Sequence, residues 1–334
     1  MQRSDQYAQT HSLSFDDAGS FARALTQAEV SCFQTNAGAI QLGLSICKTS
    51  RIEVHFTSMP VGSCIAIGRT AGTTQSFHVP LQNAALISMM GRQMDGGSFA
   101  AYSHDGEHAI NARAGARLAY IVPTEELIQE ASFVHRGRDA TRSKARCDVV
   151  ASQPEKMARL SNFLEEVSHL IENAPGAIKH FEVLRQIEQS LMGLLLEAHC
   201  GGEQHNTAIG RVPVSRCRIL REIDDLLRIK ATEPVYVTDL CSAAGISQPT
   251  LYRIFFDVLD MNPKRYLQLR RLHLVREKLL DDANPVRTVS SVAFDCGFWQ
   301  LGRFGQAYRK LFGETPSQTL KRSRRTREML RAAG

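Results

Sequence analysis

Two stretches of this 334-residue chain hold residues whose types and spacing could do chemistry. In the first, His104-Asp-Gly-Glu-His108, imidazoles and carboxylates of the kind that hold metals or move protons stand close together. It falls in a turn-like stretch and is not read as a metal site. No G-x-S-x-G, Gly-rich phosphate loop or H-E-x-x-H occurs, so no catalytic residue, cofactor or metal is expected. Only a convergence of titratable groups around His55, His78 or His104 would reopen an enzymatic reading. The second stretch runs from Val237 to Phe256 and ends in a helix whose Gln248, Thr250, Tyr252 and Arg253 point away from its apolar side. Those side chains make hydrogen bonds rather than break covalent ones.

The elements that position this row read as a helix-turn-helix. Thr238 caps a short helix with Leu240, Ala243 and Ala244 inward, small enough for a second helix to approach. Gly245 supplies a turn in which positive φ carries no penalty, and Ile246 plugs the space beneath it. Ser247 caps the second helix, Pro249 is tolerated in its first turn, and Leu251, Ile254 and Phe255 face the core. A long helix follows from Pro263, with Tyr266, Leu269, Leu272, Val275 and Leu279 as its buried stripe. A second copy of the unit begins at Thr288: Val289, Val292 and Ala293 inward, Gly297 at the turn, Phe298 as plug, then a helix carrying Phe304, Tyr308 and Phe312. A connecting helix of ~18 residues spans about 27 Å. With a packed helix at each end, that separation approaches one turn of DNA, ~34 Å, so both units could enter successive major grooves.

Charge agrees with this division. Residues 211–334 hold 23 Lys+Arg against 13 Asp+Glu, whereas residues 1–210 hold 17 against 21. A basic module joined to a mildly acidic one implies that only the C-terminal part meets a polyanion. No apolar run reaches the ~20 residues of a membrane helix, and Met1–Ser14 lacks the apolar core of a signal peptide, so no membrane contact and a cytoplasmic location are expected. Eight cysteines (Cys32, Cys47, Cys64, Cys147, Cys200, Cys217, Cys241 and Cys296) form no C-x-x-C pair and read as free thiols of a reducing compartment.

The front half reads differently. A short helix lies within Phe15–Thr26. Alternating segments at 42–46, 52–56, 64–70, 85–90 and 117–122, separated by turn signals, indicate an antiparallel sandwich or small barrel. From Pro154 the period becomes helical. Leu160, Phe163, Leu164, Val167, Leu170 and Ile171 form one stripe, Pro175-Gly176 breaks the chain, and a second helix carries Phe181 to Leu195. Leu160, Leu164, Val167 and Ile171 suit either packing onto the barrel or a two-helix dimer contact. The expected organisation is a sensor or regulatory domain over 1–150, a helical segment over 151–200, a linker over 201–213, a double helix-turn-helix domain over 214–325 and a basic tail over 326–334.

The pattern Arg265-Tyr266, Arg271-Leu272, Leu279-Leu280, Val289, Val292-Ala293, Gly297-Phe298, Arg303-Phe304, Tyr308-Arg309, Phe312-Gly313, Thr315-Pro316 resembles the DNA-binding signature of AraC/XylS-family regulators over about 110 residues. The run Gly297–Phe304 is especially like the XylS type. The resemblance implies a seven-helix module, often preceded by a cupin-like domain. The expected fold class is therefore α+β: an N-terminal cupin-like small β-barrel plus helices, and a C-terminal all-α double helix-turn-helix domain. It also implies an activator that acts on double-stranded DNA with RNA polymerase, as a homodimer, under a small-molecule effector. Carried across, DNA contacts fall to Gln248, Thr250, Tyr252 and Arg253 in the first unit and to Trp299, Gln300, Arg303 and Gln306 in the second. Arg with guanine and Gln with adenine are pairings whose donors and acceptors fit base edges; Tyr252 and Trp299 are equally suited to packing or phosphate contact. Gly302 and Gly305 weaken the second of these helices by up to ~1 kcal/mol each relative to Ala.

Three roles fit the front domain: binding an effector, dimerising for a protein partner, or catalysis with DNA binding as autoregulation. A concave apolar cavity lined by residues such as Phe56, Ile67 and Phe77 favours the first. A filled barrel with an exposed Leu160/Leu164/Val167 stripe favours the second.

Overall fold

A computed structural model describes residues 9–71, 74–134, 147–200, 214–230, 233, 235–281 and 288–333. Most of the N-terminal strands are buried on both faces, and because successive side chains point to opposite faces of a sheet, neighbouring residues meet different surroundings. They form β1 (Gln9–Phe15), β2 (Ala28–Gln34), β3 (Gln41–Lys48), β4 (Ile52–Val61), β5 (Ser63–Thr70), β6 (Ser76–Pro80), β7 (Ile87–Met89), β8 (Arg92–Gln93), β9 (Ser98–Tyr102), β10 (Glu107–Arg113), β11 (Ala116–Pro123) and β12 (Cys147–Ala151). The segment expected as a strand over 85–90 is a 3-10 turn followed by the three-residue β7. All pairings are antiparallel, in the orders β1-β3-β4-β11-β6-β9-β12 and β2-β5-β10-β7-β8. No strand pairs with both sheets. The described residues therefore form two facing sheets, where a closed barrel was among the expectations.

Helices cover the outer faces. In the N-terminal half these are α1 (Ala18–Ala24), α2 (Glu125–Val134), α3 (Pro154–Asn173) and α4 (Phe181–Cys200). Strand parity decides what each residue meets. Val54, Phe56, Phe77 and Val79 leave the seven-stranded sheet on its outer face and pack with Leu160, Leu164, Leu191 and Leu195 of α3 and α4 in one buried cluster. Leu160, Leu164, Val167 and Ile171 are thus 0–5% exposed. Their apolar stripe faces its own sheet, which leaves none of it for a second chain and corrects the dimer-contact reading of these four residues.

The C-terminal helices are α5 (Val214–Ile229), α6 (Val237–Ala244), α7 (Gln248–Leu259), α8 (Pro263–Leu280), α9 (Val289–Asp295), α10 (Leu301–Phe312) and α11 (Pro316–Ala333). The expected linker over 201–213 lies outside the described residues, and residues 326–333 of the expected basic tail continue α11. On α5, Cys217, Leu220, Ile223 and Asp224 are buried, while Ile219, Leu226 and Leu227 are only half-buried. None of the seven cysteines whose side chains are described is in a disulfide.

The five-stranded sheet separates the two halves. Along β2, Ala28 and Val30 face the other sheet, while Ser31 and Phe33 face the C-terminal helices. Ser31 Oγ donates to Asp224 at 2.6 Å; Tyr266 OH (3.2 Å) and Arg270 (2.8 Å) also reach this buried carboxylate. Phe33 packs edge-on against Tyr266 and His273. His273, on α8, donates from Nε2 to the Gln34 carbonyl at 3.1 Å, which requires only the neutral ring.

Burial pushes His108 and His273 down to about 4, against ~6.5 for histidine in an unfolded chain. Between those values the unfolded chain binds protons that the folded one refuses, so stability rises with pH across that window. Urea midpoints are expected to be level above pH 7 and to fall steadily from pH 6.5 towards 4. The variant His273→Gln keeps a donor for the Gln34 carbonyl without titrating, and its profile should be flatter. An unchanged slope would remove His273 from this account.

Candidate nucleic-acid interface

Each helix-turn-helix unit is built by local chemistry. In the first, α6 begins at Val237, and the Tyr236 N–H donates to Asp239 Oδ2 at 2.7 Å; Thr238, expected as the cap, lies inside the first turn. Gly245 ends α6 at φ +63°, a left-handed conformation that a side chain would oppose. Ser247 accepts from the Thr250 N–H and caps α7, with Pro249 in the first turn. Leu251, Ile254, Phe255, Val258 and Leu259 are buried. In the second unit Thr288 caps α9, Gly297 takes φ +79°, and Phe298 stacks at 4.9 Å on Phe304 beneath the turn.

The predicted contact residues fall on the outward side of both units. Gln248 and Arg253 are exposed, and Thr250 and Tyr252 half-exposed, on the first two turns of α7. Trp299 and Gln300 stand just before α10, with Gln300 at its N-cap position, and Arg303 and Gln306 are exposed on the helix itself. Trp299 is 72% exposed and leans on Phe294 with ring centroids 5.8 Å apart. Neither Arg253 nor Arg303 has an ion-pair partner among the described residues. Both guanidiniums therefore keep their donors for an outside acceptor.

Between the units lies α8, and here the structure adds residues that motif reasoning missed. One groove is lined by Gln248, Lys264, Gln268 and Arg271, and the adjoining one by Gln268, Trp299, Gln300 and Arg303. Gln268 belongs to both. Positions 264, 268 and 271 have the i, i+4, i+7 spacing of one helix face, so the signal was present in the sequence.

The opposite ends of α7 and α10 are gripped by the N-terminal half. The Gly38 N–H donates to the carbonyls of Lys310 (3.2 Å) and Leu311 (3.0 Å), and Gln34 Nε2 reaches the Leu311 carbonyl at 2.9 Å. The last turn of α10 is thus satisfied by the β2–β3 connection. Gly91, at φ +79°, sits so close to α7 that a Cβ there would lie 2.0 Å from the Asp257 carbonyl oxygen. On α1, burial would raise the Asp17 carboxyl, but the Ser20 N–H and the Arg276 guanidinium hold it below the usual carboxylate value. Arg276 in turn reaches Glu314 at 2.7 Å.

The expected effector residues are placed differently. A cavity of about 80 Å³ lies between the sheets, lined by residues such as Phe21, Leu42, His55, His78, His108 and Tyr120. Phe56 and Phe77 are one position off, turned towards α3 and α4, and Ile67 points into the core shared with α5. Their neighbours His55, Ala66 and His78 line the cavity instead. Strand register explains the convergence: Tyr120 pairs with His55 on one side and with His78 on the other. The His78 ring stacks on Tyr120 at 4.4 Å and lies 5.6 Å from His108 of the facing sheet. His104, by contrast, is exposed and does not join them.

Among known proteins, the model of a family described as a helix-turn-helix domain matches residues 240–322. XylDLEGF operon transcriptional activator 3 of Pseudomonas putida is 36% identical over 105 residues, which is 31% of this chain and 30% of that protein. Activator 1 of the same operon and organism is 41% identical over 83 residues, 25% of each chain. A probable thc operon regulatory protein of Rhodococcus erythropolis is 27% identical over 48% of both chains. The chain thus spans from a quarter to about half the length of these curated relatives. The crystal structure of a probable AraC family transcriptional regulator from Rhodopseudomonas palustris is 31% identical over 32% of this chain and 97% of that one, with a TM-score of 0.29.

Gly302 and Gly305 lie in the first half of α10, and an added Cβ at either would meet nothing within 4 Å. Nothing inside the protein requires them, so Gly302→Ala and Gly305→Ala are each expected to raise stability by up to ~1 kcal/mol. If the bare backbone serves close approach to a duplex, the same variants should lose DNA affinity. Greater stability with unchanged affinity would show that the glycines serve neither purpose.

Proposed function

We propose, from the helix-turn-helix family match over residues 240–322 and the likeness to the curated activators, that the protein is an AraC/XylS-type, sequence-specific DNA-binding regulator that activates transcription. One observation carries the reading: two helix-turn-helix units, joined by the 18-residue α8, each present a polar, outward N-terminal end of the second helix. Those are the ends that enter a major groove in this motif. Arg253 and Arg303 suit guanine edges, Gln248, Gln300 and Gln306 suit adenine, and Lys264 and Gln268 lie where the phosphate backbone crosses between the two grooves. In this reading RNA polymerase and a second copy of the chain are further partners. A second copy would have to use a surface other than the buried face of α3.

We further infer that the N-terminal half controls DNA binding through an effector in the cavity between the sheets. The support is positional. α1 places Phe21 and Leu25 in the cavity wall and Asp17 on Arg276 of α8. β2 places Ala28 and Val30 in the same wall, with Ser31 on Asp224 and Gln34 on the end of α10. The same elements thus touch both the cavity and the helices that set the separation of the two units.

DNA selection with the full-length protein at fixed salt is expected to return two boxes about one helical turn apart. Arg253→Ala or Arg303→Ala should each cost about 1–3 kcal/mol on such a site and relax preference at one position. Uniform loss on every sequence would identify phosphate contacts instead. Gln34→Ala, which removes the side-chain donor from the end of α10, should broaden the tolerated spacing between boxes without altering either box. Unchanged spacing tolerance would sink the proposed role of the N-terminal grip.

A further inference from the structure

The cavity between the sheets has a chemical character that narrows what it can hold. At about 80 Å³ it exceeds by several fold the ~10–15 Å³ that one water needs. Most of its wall is apolar: Phe21, Leu25, Val30, Leu42, Met59 and Ile110 are among the contributors. The polar part is confined to His55, His78, His108 and Tyr120, with Thr57 and Ser58 beside them. No lysine, arginine, aspartate or glutamate lines it.

The three histidines are buried to at least nine-tenths, and the Nδ1 atom of each has no hydrogen-bond partner. Buried polar atoms of this kind are ordinarily satisfied, by protein, water or ligand. His78 and His108 are held neutral, since burial pushes both below the usual histidine value and a charge on one would oppose a charge on the other. A neutral imidazole offers one donor and one acceptor and no net charge. Glu53, the nearest carboxylate, is already engaged by His55, Thr26, Gln27 and Lys48 and is not part of the wall.

From these observations we infer that the cavity binds a compact, uncharged and largely apolar molecule that carries a hydroxyl, carbonyl or amide group directed at His55, His78 and His108. A carboxylate or ammonium ligand would leave water for a wall without lysine, arginine, aspartate or glutamate, which is the costliest form of burial. A fully apolar ligand would leave the Nδ1 atoms of the three imidazoles without a partner. This inference deepens the effector reading and rests on it only for the consequence at DNA.

The test uses the full-length protein and matched probes: cyclohexanol, cyclohexanecarboxylate and cyclohexylamine, with 1-hexanol and hexanoate as a linear pair. Binding is followed by calorimetry and thermal melting, and DNA affinity is measured with each probe present. The alcohols are expected to bind at least ~100-fold more tightly than their charged counterparts and to be recovered unchanged. Ala112→Phe, which fills the cavity, should abolish this binding, and His78→Phe, which keeps the ring packing but removes its hydrogen bonds, should weaken it ~10-fold. Tighter binding of the acids or the amine would overturn the uncharged class while leaving an effector site in place. No binding by any probe, or binding insensitive to Ala112→Phe, would overturn the ligand assignment altogether. Alcohol binding that leaves DNA affinity untouched would support this inference and overturn the effector reading.

Discussion

The last carbonyls of α10 end on another domain, and much of the arrangement depends on that contact. A helix leaves its final C=O groups without intrahelical partners. In this chain those of Lys310 and Leu311 are met by the Gly38 N–H and the Gln34 amide of the N-terminal half. Gly91 makes a comparable backbone-to-backbone approach at the C-terminal end of α7. Both helices are therefore fixed at the ends that point away from the outward polar rows. At Gly38 and Gly91 the two halves meet backbone to backbone, with little room for a side chain between Gly91 and α7.

The sandwich is suited to that role because its five-stranded sheet has two occupied faces. One face of β2 and β5 looks into the cavity, and the other packs on α5 and α8 around the buried Asp224. A buried carboxylate is tolerated because Ser31, Tyr266, Arg228 and Arg270 all reach it. Such a cluster is costly to rearrange piecemeal, since losing one partner leaves charge uncompensated. The seven-stranded sheet is different: its outer face is closed by α3 and α4.

Much of the C-terminal half was legible in the residues themselves. Gly245 and Gly297 mark turns that need positive φ, Ser247 and Thr288 are caps, and the apolar stripes of α7, α8 and α10 follow helical periodicity. These are local rules, and a 3.6-residue period settles which side of a helix is wet. The N-terminal half gave up its strands but not their faces. Every strand in question is buried on both sides, so alternation of apolar and polar residues carries little signal there. Phe56 and Phe77 were taken for the cavity wall on hydrophobicity alone, and the chemistry lay one residue away, at His55 and His78.

Sequence by itself determined that this chain has a basic double helix-turn-helix module, which residues its second helices turn outward, and that a β-rich half precedes it. Short-range propensity, capping and periodicity suffice for that, because each acts over a few neighbouring residues. Only the tertiary structure decided that the α3 stripe is internal core, that His55, His78, His108 and Tyr120 meet across two sheets, and that Gln34 and Gly38 finish a helix some 270 residues further on. Such pairings depend on strand register and domain packing, where contacts distant in sequence compete, and no local pattern reports which of them wins.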